Sequence, residues 1–211
     1  MTGEEIVDAM IRRYPGLEDC TEEILEASRA IIDCFEKGGQ LLLCGNGGSC
    51  ADADHMAGEL MKSFEKKRPL PQDLKEGLQL ASPEHGDYLA ENLQEGLPAI
   101  SLCSQTSLLS AISNDMDADL VYAQQIAGYG KKDDVLFAIS TSGNSQNVVN
   151  AAITAKAKGL RVIGLTGKQG GLMKQYCDTA ICVPSNTTAE IQEYHLPVYH
   201  TLCRIIENRF F

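Results

Sequence analysis

No stretch of this 211-residue chain is apolar for long enough to cross a bilayer; its longest apolar runs are strand-sized, whereas a spanning helix needs about 20 residues. The chain also lacks the basic-then-apolar layout of a secretory leader. Its start, MTGEEIVDAMIRRYPG, is acidic and amphipathic. These two absences lead to the expectation of a cytoplasmic protein with no membrane partner. Positive charge is scarce as well. There are 18 Lys and Arg against 29 Asp and Glu, for a formal net charge of −11. That balance excludes a general nucleic-acid-binding surface, which needs a basic footprint. It leaves room for an anionic substrate, because a local site can override the overall field. Eight cysteines are present, yet no Cys-x-x-Cys pair. Cys44, Cys103 and Cys182 fall in strand-like apolar runs, and Cys34 and Cys203 in helical patterns. They read as buried free thiols of a reducing compartment rather than a disulfide framework. No internal repeat and no low-complexity tract interrupts the sequence.

What is present fits one ordinary globular domain spanning 1–211: hydrophobic residues make up 44% and charged residues 22%. Helical periodicity fills the first 38 residues, in EEIVDAMIRRY and TEEILEASRAIIDCFEKGG, the second stopping at Gly38-Gly39. Five apolar runs then read as buried strands, at 40–45, 98–103, 134–140, 160–167 and 179–185. Helical stretches follow, the clearest at 49–63, 106–127, 145–158 and 187–208. Nearly all-apolar strands alternating with helices predict an α/β fold with a parallel sheet covered on both faces. Ligands of such folds sit at the carboxyl ends of the strands. That rule points to 45–49, 104–106, 140–145 and 166–170. Residues 65–97 break the rhythm. They carry three prolines, many charges and a helix-like GDYLAENLQEG, and a connection of this length suits a lid, an interface element or a disordered insertion.

Two turns and two helices carry the chemistry. In STSGNS, hydroxyls of Ser140, Thr141, Ser142 and Ser145 crowd around Gly143 between a strand and a helix start. Backbone N–H groups there attract an anion and the hydroxyls add donors. With no lysine in the turn it is no nucleotide P-loop, and it suits a phosphate monoester better than a plain capped turn. Asn46, Gly47, Gly48 and Ser49 form a second strand-to-helix turn where glycine permits close backbone approach; alone, it is equally an ordinary tight turn. The helix it launches carries His55 and Glu59, one turn apart on one face. Near the C-terminus, Thr187 and Glu190 suit a capping box. Gln192 and His200 follow on that helix, about 80° apart around its axis, and Pro197 is expected to kink it. His195 points elsewhere. Two imidazoles, a carboxylate and an amide oxygen form a donor set for a divalent ion such as zinc. A surface His–Glu pair and a structural histidine are the plainer readings. Spacing alone does not bring 55–59 and 192–200 together.

GNGGS…H…E, ND at Asn114-Asp115, ISTSGNS, VIGLTGKQGG and TAEIQEYH…H occur in this order. As a set they resemble the sugar isomerase (SIS) domain and, within it, the bacterial phosphoheptose isomerases. The likeness runs from about Gly38 to the end. It implies a flavodoxin-like, three-layer αβα sandwich with a five-stranded parallel sheet, assembled as a homotetramer with sites formed across subunits. It also implies conversion of sedoheptulose 7-phosphate to a heptose 7-phosphate, D-glycero-D-manno-heptose 7-phosphate. Ser140, Thr141, Ser142 and Ser145 would take the phosphate. Asn46, Gly47, Gly48, Ser49, Asp115 and Gln192 would contact the sugar. Glu59 and His200 match the family's acid/base pair, and His55, Glu59, Gln192 and His200 its zinc site, one ion per subunit. Two features depart from the pattern: the 65–97 insertion, with His85 in it, and Ser63 beside Lys62 where the family commonly has an arginine. The competing classes are a non-catalytic SIS-domain phosphosugar-binding or replication-initiator-binding protein, and a phosphosugar-sensing regulator. Initiator-binding relatives lose the active-site histidines, whereas His55 and His200 are present. Regulators add a helix-turn-helix module, for which this N-terminus is too short and acidic.

Overall fold

A computed structural model describes all of residues 1–211. Helix α1 (Gly3–Arg13) starts at a capping box: Thr2 Oγ1 accepts from the Glu5 N–H while Glu5 reaches back to the Thr2 N–H. A 3₁₀ turn over Pro15–Cys20 leads into α2 (Thr21–Glu36), which ends where Gly38 takes φ +75°. Strand β1 (Leu41–Gly45) passes through the Asn46–Gly47 turn into α3 (Gly48–Met61). Residues 65–97 then form a helical hairpin, α4 (Gln72–Ala81) against α5 (Gly86–Asn92), closed at its base by a Pro69–Gln94 bridge. Strand β2 (Ala99–Ser101) precedes α6 (Thr106–Asp115) and α7 (Val121–Tyr129). Strand β3 (Val135–Ser140), α8 (Gln146–Ala157), β4 (Arg161–Thr166), β5 (Thr179–Cys182) and the long α9 (Thr188–Phe210) complete the chain.

The five strands form one parallel sheet in the order β2-β1-β3-β4-β5. Every residue of β1 and β3 is buried, which is why these runs show no polar alternation. Helices α2, α3 and α9, with α1 on α9, cover one face, and α7 and α8, with α6, the other. The three-layer sandwich expected from sequence is therefore present. Chain order reverses direction between β1 and β3, so the turns after these two strands splay apart and open a crevice, the position where doubly wound sheets bind ligands.

Three local expectations change. The stretch 106–127 is two helices, because the chain breaks at Met116 and Asp117, where the Asp117 carboxylate accepts the Asp119 N–H and starts a 3₁₀ turn. The insertion contains α4, which its sequence did not announce, besides the helix in GDYLAENLQEG. No capping box forms at Thr187: Glu190 accepts from the hydroxyls of Ser185 (2.7 Å) and Thr187 (2.9 Å) instead of a backbone N–H. Helix α9 runs continuously through Pro197. All eight cysteines are free thiols, and burial pushes Cys20 and Cys34 up to about 12. No helix is long and apolar enough to cross a membrane.

Candidate active site

The turn after β3 is built for close backbone contact. Gly143 takes φ +66°, and a side chain on it would collide with the backbone of Gly170 and Gly171. The GKQGG segment after β4 thus buttresses this turn. The Gly167 N–H donates to the Thr141 carbonyl, the Met173 N–H to the Gly143 carbonyl and the Leu172 N–H to Asn144 Oδ1. Ser140 Oγ donates to Ser145 Oγ at 3.2 Å, and Ser142 Oγ accepts from the Asn144 N–H at 3.1 Å, leaving its own hydrogen free to donate. Ser142 is exposed at the mouth, whereas Ser140 is buried at the strand end. The four expected hydroxyls gather at the N-terminus of α8, where the helix dipole favours an anion.

The turn after β1 faces this one across the switch point. Asn46 and Asn147, the latter on α8, exchange side-chain hydrogen bonds of 2.8 and 2.9 Å. The buried Tyr122 hydroxyl donates to the Gly45 carbonyl below them. Asn147 and Tyr122 carry no motif and were not found from sequence. Only Gly47 of the turn takes a positive φ, +56°. Gly48 is needed for a different reason: any side chain there would meet the Gln192 amide. Ser49 is buried at the start of α3. Asp115, at the end of α6, accepts from Asn114 and makes no hydrogen bond to these turns.

Helices α3 and α9 pack side by side and bring His200 to the His55–Glu59 pair within one chain, while Gln192 meets the start of α3 at Gly48. The closeness that sequence spacing alone does not supply comes from this packing of α3 on α9. His55 Nε2 lies 3.1 Å from Glu59 Oε1, the Lys62 ammonium 3.2 Å from Glu59 Oε2, and the Tyr199 hydroxyl 3.0 Å from His55 Nδ1. The Asp52 carboxylate lies beside the same hydroxyl; burial raises its pKa, opposed by Tyr199. Asp52, His55 and Glu59 occupy one face of α3, a spacing that could have flagged Asp52. Tyr199, next to His200 in sequence, gave no such hint. The His200 ring meets that of His55 at 5.1 Å and that of Phe64 at 5.3 Å. Burial, then the neighbouring His55, lowers its pKa, so it is neutral near pH 7. Its Nε2 is buried with no hydrogen-bond partner.

An orphaned imidazole nitrogen beside a second imidazole and a carboxylate is part of a donor set that suits a divalent cation, while the Gln192 amide lies at the start of α3 beside Gly48. As the side chains stand, His55 and Glu59 bond to each other, and no three His, Cys, Asp or Glu converge as a ready-made metal cage. His195 is wholly buried beside the Thr166 backbone, away from this group. His85 is exposed at the start of α5, on the insertion.

The chain is similar to known proteins over most of its length. The SIS domain profile matches residues 7–81 and 86–167. A phosphoheptose isomerase of a Nitratiruptor species is 42% identical, with 98% of this chain and 99% of that protein covered. One from Aliarcobacter butzleri is 40% identical over 91% and 88%. Among solved structures, the phosphoheptose isomerase of Neisseria gonorrhoeae superposes with a TM-score of 0.75 at 33% identity, covering 96% of this chain and 95% of that one. That of Francisella tularensis superposes with a TM-score of 0.77 at 29% identity, covering 99% and 100%.

Proposed function

The chain belongs to the SIS domain family, among its phosphoheptose isomerases, and from that premise we propose that it interconverts a ketose and an aldose phosphate. Sedoheptulose 7-phosphate is the substrate and D-glycero-D-manno-heptose 7-phosphate the product. One observation carries the reading: the chain sets His55, Glu59 and His200 together where α3 packs on α9 and also has a turn after β3 whose hydroxyls and helix N-terminus suit a phosphate.

The phosphate binds at Ser140, Thr141, Ser142 and Ser145, and the open-chain sugar extends along Asn46–Ser49 towards α3. Anchoring the far end of the substrate fixes C1 and C2 against the reacting groups. Glu59 removes a proton from C1, leaving an enediol in which O2 must gain a proton and O1 lose one. His200, neutral and with a free ring nitrogen, serves the oxygens. Glu59 then returns a proton to C2. A half-buried neutral imidazole is suited to this task because it exchanges a proton without leaving a charge in the site. The Tyr199 hydroxyl on Nδ1 sets how the His55 ring is turned.

His55, Glu59, Gln192 and His200 would hold one zinc ion per subunit. Bound there, it supplies Lewis-acid polarisation of the substrate carbonyl. The reading includes a cytoplasmic homotetramer, for which exposed Leu108, Met116 and Leu196 offer apolar surface to bury. The experiment is a panel of ketose phosphates followed by NMR with the purified protein. Aldose formation from sedoheptulose 7-phosphate, faster than from shorter ketose phosphates, is expected; no turnover of any of them sinks the assignment.

A further inference from the structure

Arg68 and Glu207 lie outside every motif that marks the cleft, yet each is only 1% exposed. Helix α3 ends at Met61, which leaves its last carbonyls without donors from within the helix. Arg68 supplies two of the missing donors. Its Nη1 donates to the Leu60 carbonyl at 2.7 Å and its Nη2 to the Glu59 carbonyl at 3.0 Å. Its Nε donates to Glu207 Oε1 at 2.9 Å, and the Phe211 ring covers the guanidinium at 4.9 Å. The Glu207 carboxylate also accepts the N–H groups of Phe64 and Glu65 at 2.9 Å and Lys66 at 3.1 Å. Apart from their contact with each other, the side-chain hydrogen bonds of the pair all go to the backbone of residues 59–66.

Glu207 stands two helical turns beyond His200 on α9. Seven residues return a helix to within about 20° of the same face, roughly 10 Å further along. The pair therefore ties the backbone of Glu59 to the face of α9 that carries His200. Burying an ion pair is a poor route to stability, since an apolar pair of similar size often does as well or better. A three-pronged guanidinium on two named carbonyls fixes geometry instead.

We infer that Arg68 and Glu207 are positioning residues for the isomerisation, setting the separation and angle between Glu59 and His200. The inference rests on the function proposed above, and its test separates the two. Arg68→Lys keeps the charge but cannot span both carbonyls and Glu207; Glu207→Gln keeps the shape but not the charge. The readouts are kcat and KM for sedoheptulose 7-phosphate and the imidazole ¹⁵N resonances of His55 and His200, with His195 as the internal control. The expected result is a kcat lower by about 10- to 100-fold, with KM within about two-fold because the phosphate turn is untouched. The His55 and His200 resonances move and those of His195 do not. Folded variants that keep wild-type kcat and wild-type resonances overturn the inference, even if their melting temperature falls. If Arg68→Lys does not fold, Glu207→Asp, which shortens the reach and keeps the charge, is judged by the same two outcomes. Should the wild type leave sedoheptulose 7-phosphate unchanged, the assigned reaction fails. The resonances alone then decide whether the pair sets this geometry.

Discussion

The imidazole rings of His55 and His200 lie edge to face at 5.1 Å, joined from helices that are far apart in sequence and adjacent in space. The contact is held from behind by Tyr199, which is 1% exposed and bonds His55 Nδ1. Tyr199→Phe removes that bond and keeps the packing. We expect kcat to fall by about 10-fold or more, with a melting temperature near the wild type. Steady-state kinetics beside a thermal melt checks this, and an unchanged kcat removes Tyr199 from the account.

The phosphate turn makes a different prediction. Ser142 Oγ holds the Asn144 N–H and keeps its own hydrogen for a ligand. Ser142→Ala should raise KM for phosphorylated ketoses by about 10-fold, the loss of one hydrogen bond to a charged group, with less effect on kcat. An unaltered KM would move the phosphate elsewhere. Gly143→Ala is the sharper perturbation, because φ is +66° and the added methyl meets the Gly170 carbonyl. A loss of about 2 kcal/mol or more in urea unfolding is expected.

Zinc binding is tested without turnover. After incubation with zinc and desalting, elemental analysis of the wild type should find about one ion per chain. His55→Ala should hold clearly less. No metal in either protein would show that these side chains act without an ion, and equal metal in both would remove His55 from its ligands.

His195 makes stability depend on pH. Burial lowers its pKa to about 4, from an ordinary 6.5. The unfolded chain therefore binds the proton more readily. Its contribution is complete above pH 6.5, declines as pH falls from 6.5 to about 4, and is flat below. The span amounts to on the order of 3 kcal/mol. His195→Leu should flatten the unfolding free energy across this window, measured by urea titration at several pH values. A slope identical to the wild type would place the proton uptake at another group.

Much of this was legible in the sequence, for physical reasons. The strands show themselves because β1 and β3 are buried on both faces and so carry no polar residue to confuse the pattern. The hydroxyl-rich turn shows itself because its residues are contiguous. The meeting of α3 with α9 does not, since it depends on packing between distant segments. Asn147, Tyr122 and Tyr199 were missed for the same reason: each acts through a partner on another element. The break after Asp115 was missed because both flanking helices continue one apolar pattern.

The central claim is that Glu59 moves a proton between C1 and C2 of a bound ketose phosphate. The direct measurement is turnover of sedoheptulose 7-phosphate in D₂O by the wild type and Glu59→Gln, read by NMR. The account predicts an aldose carrying solvent deuterium at C2 from the wild type, and a rate lower by about 100-fold or more from the variant. An aldose formed by Glu59→Gln at the wild-type rate would contradict it.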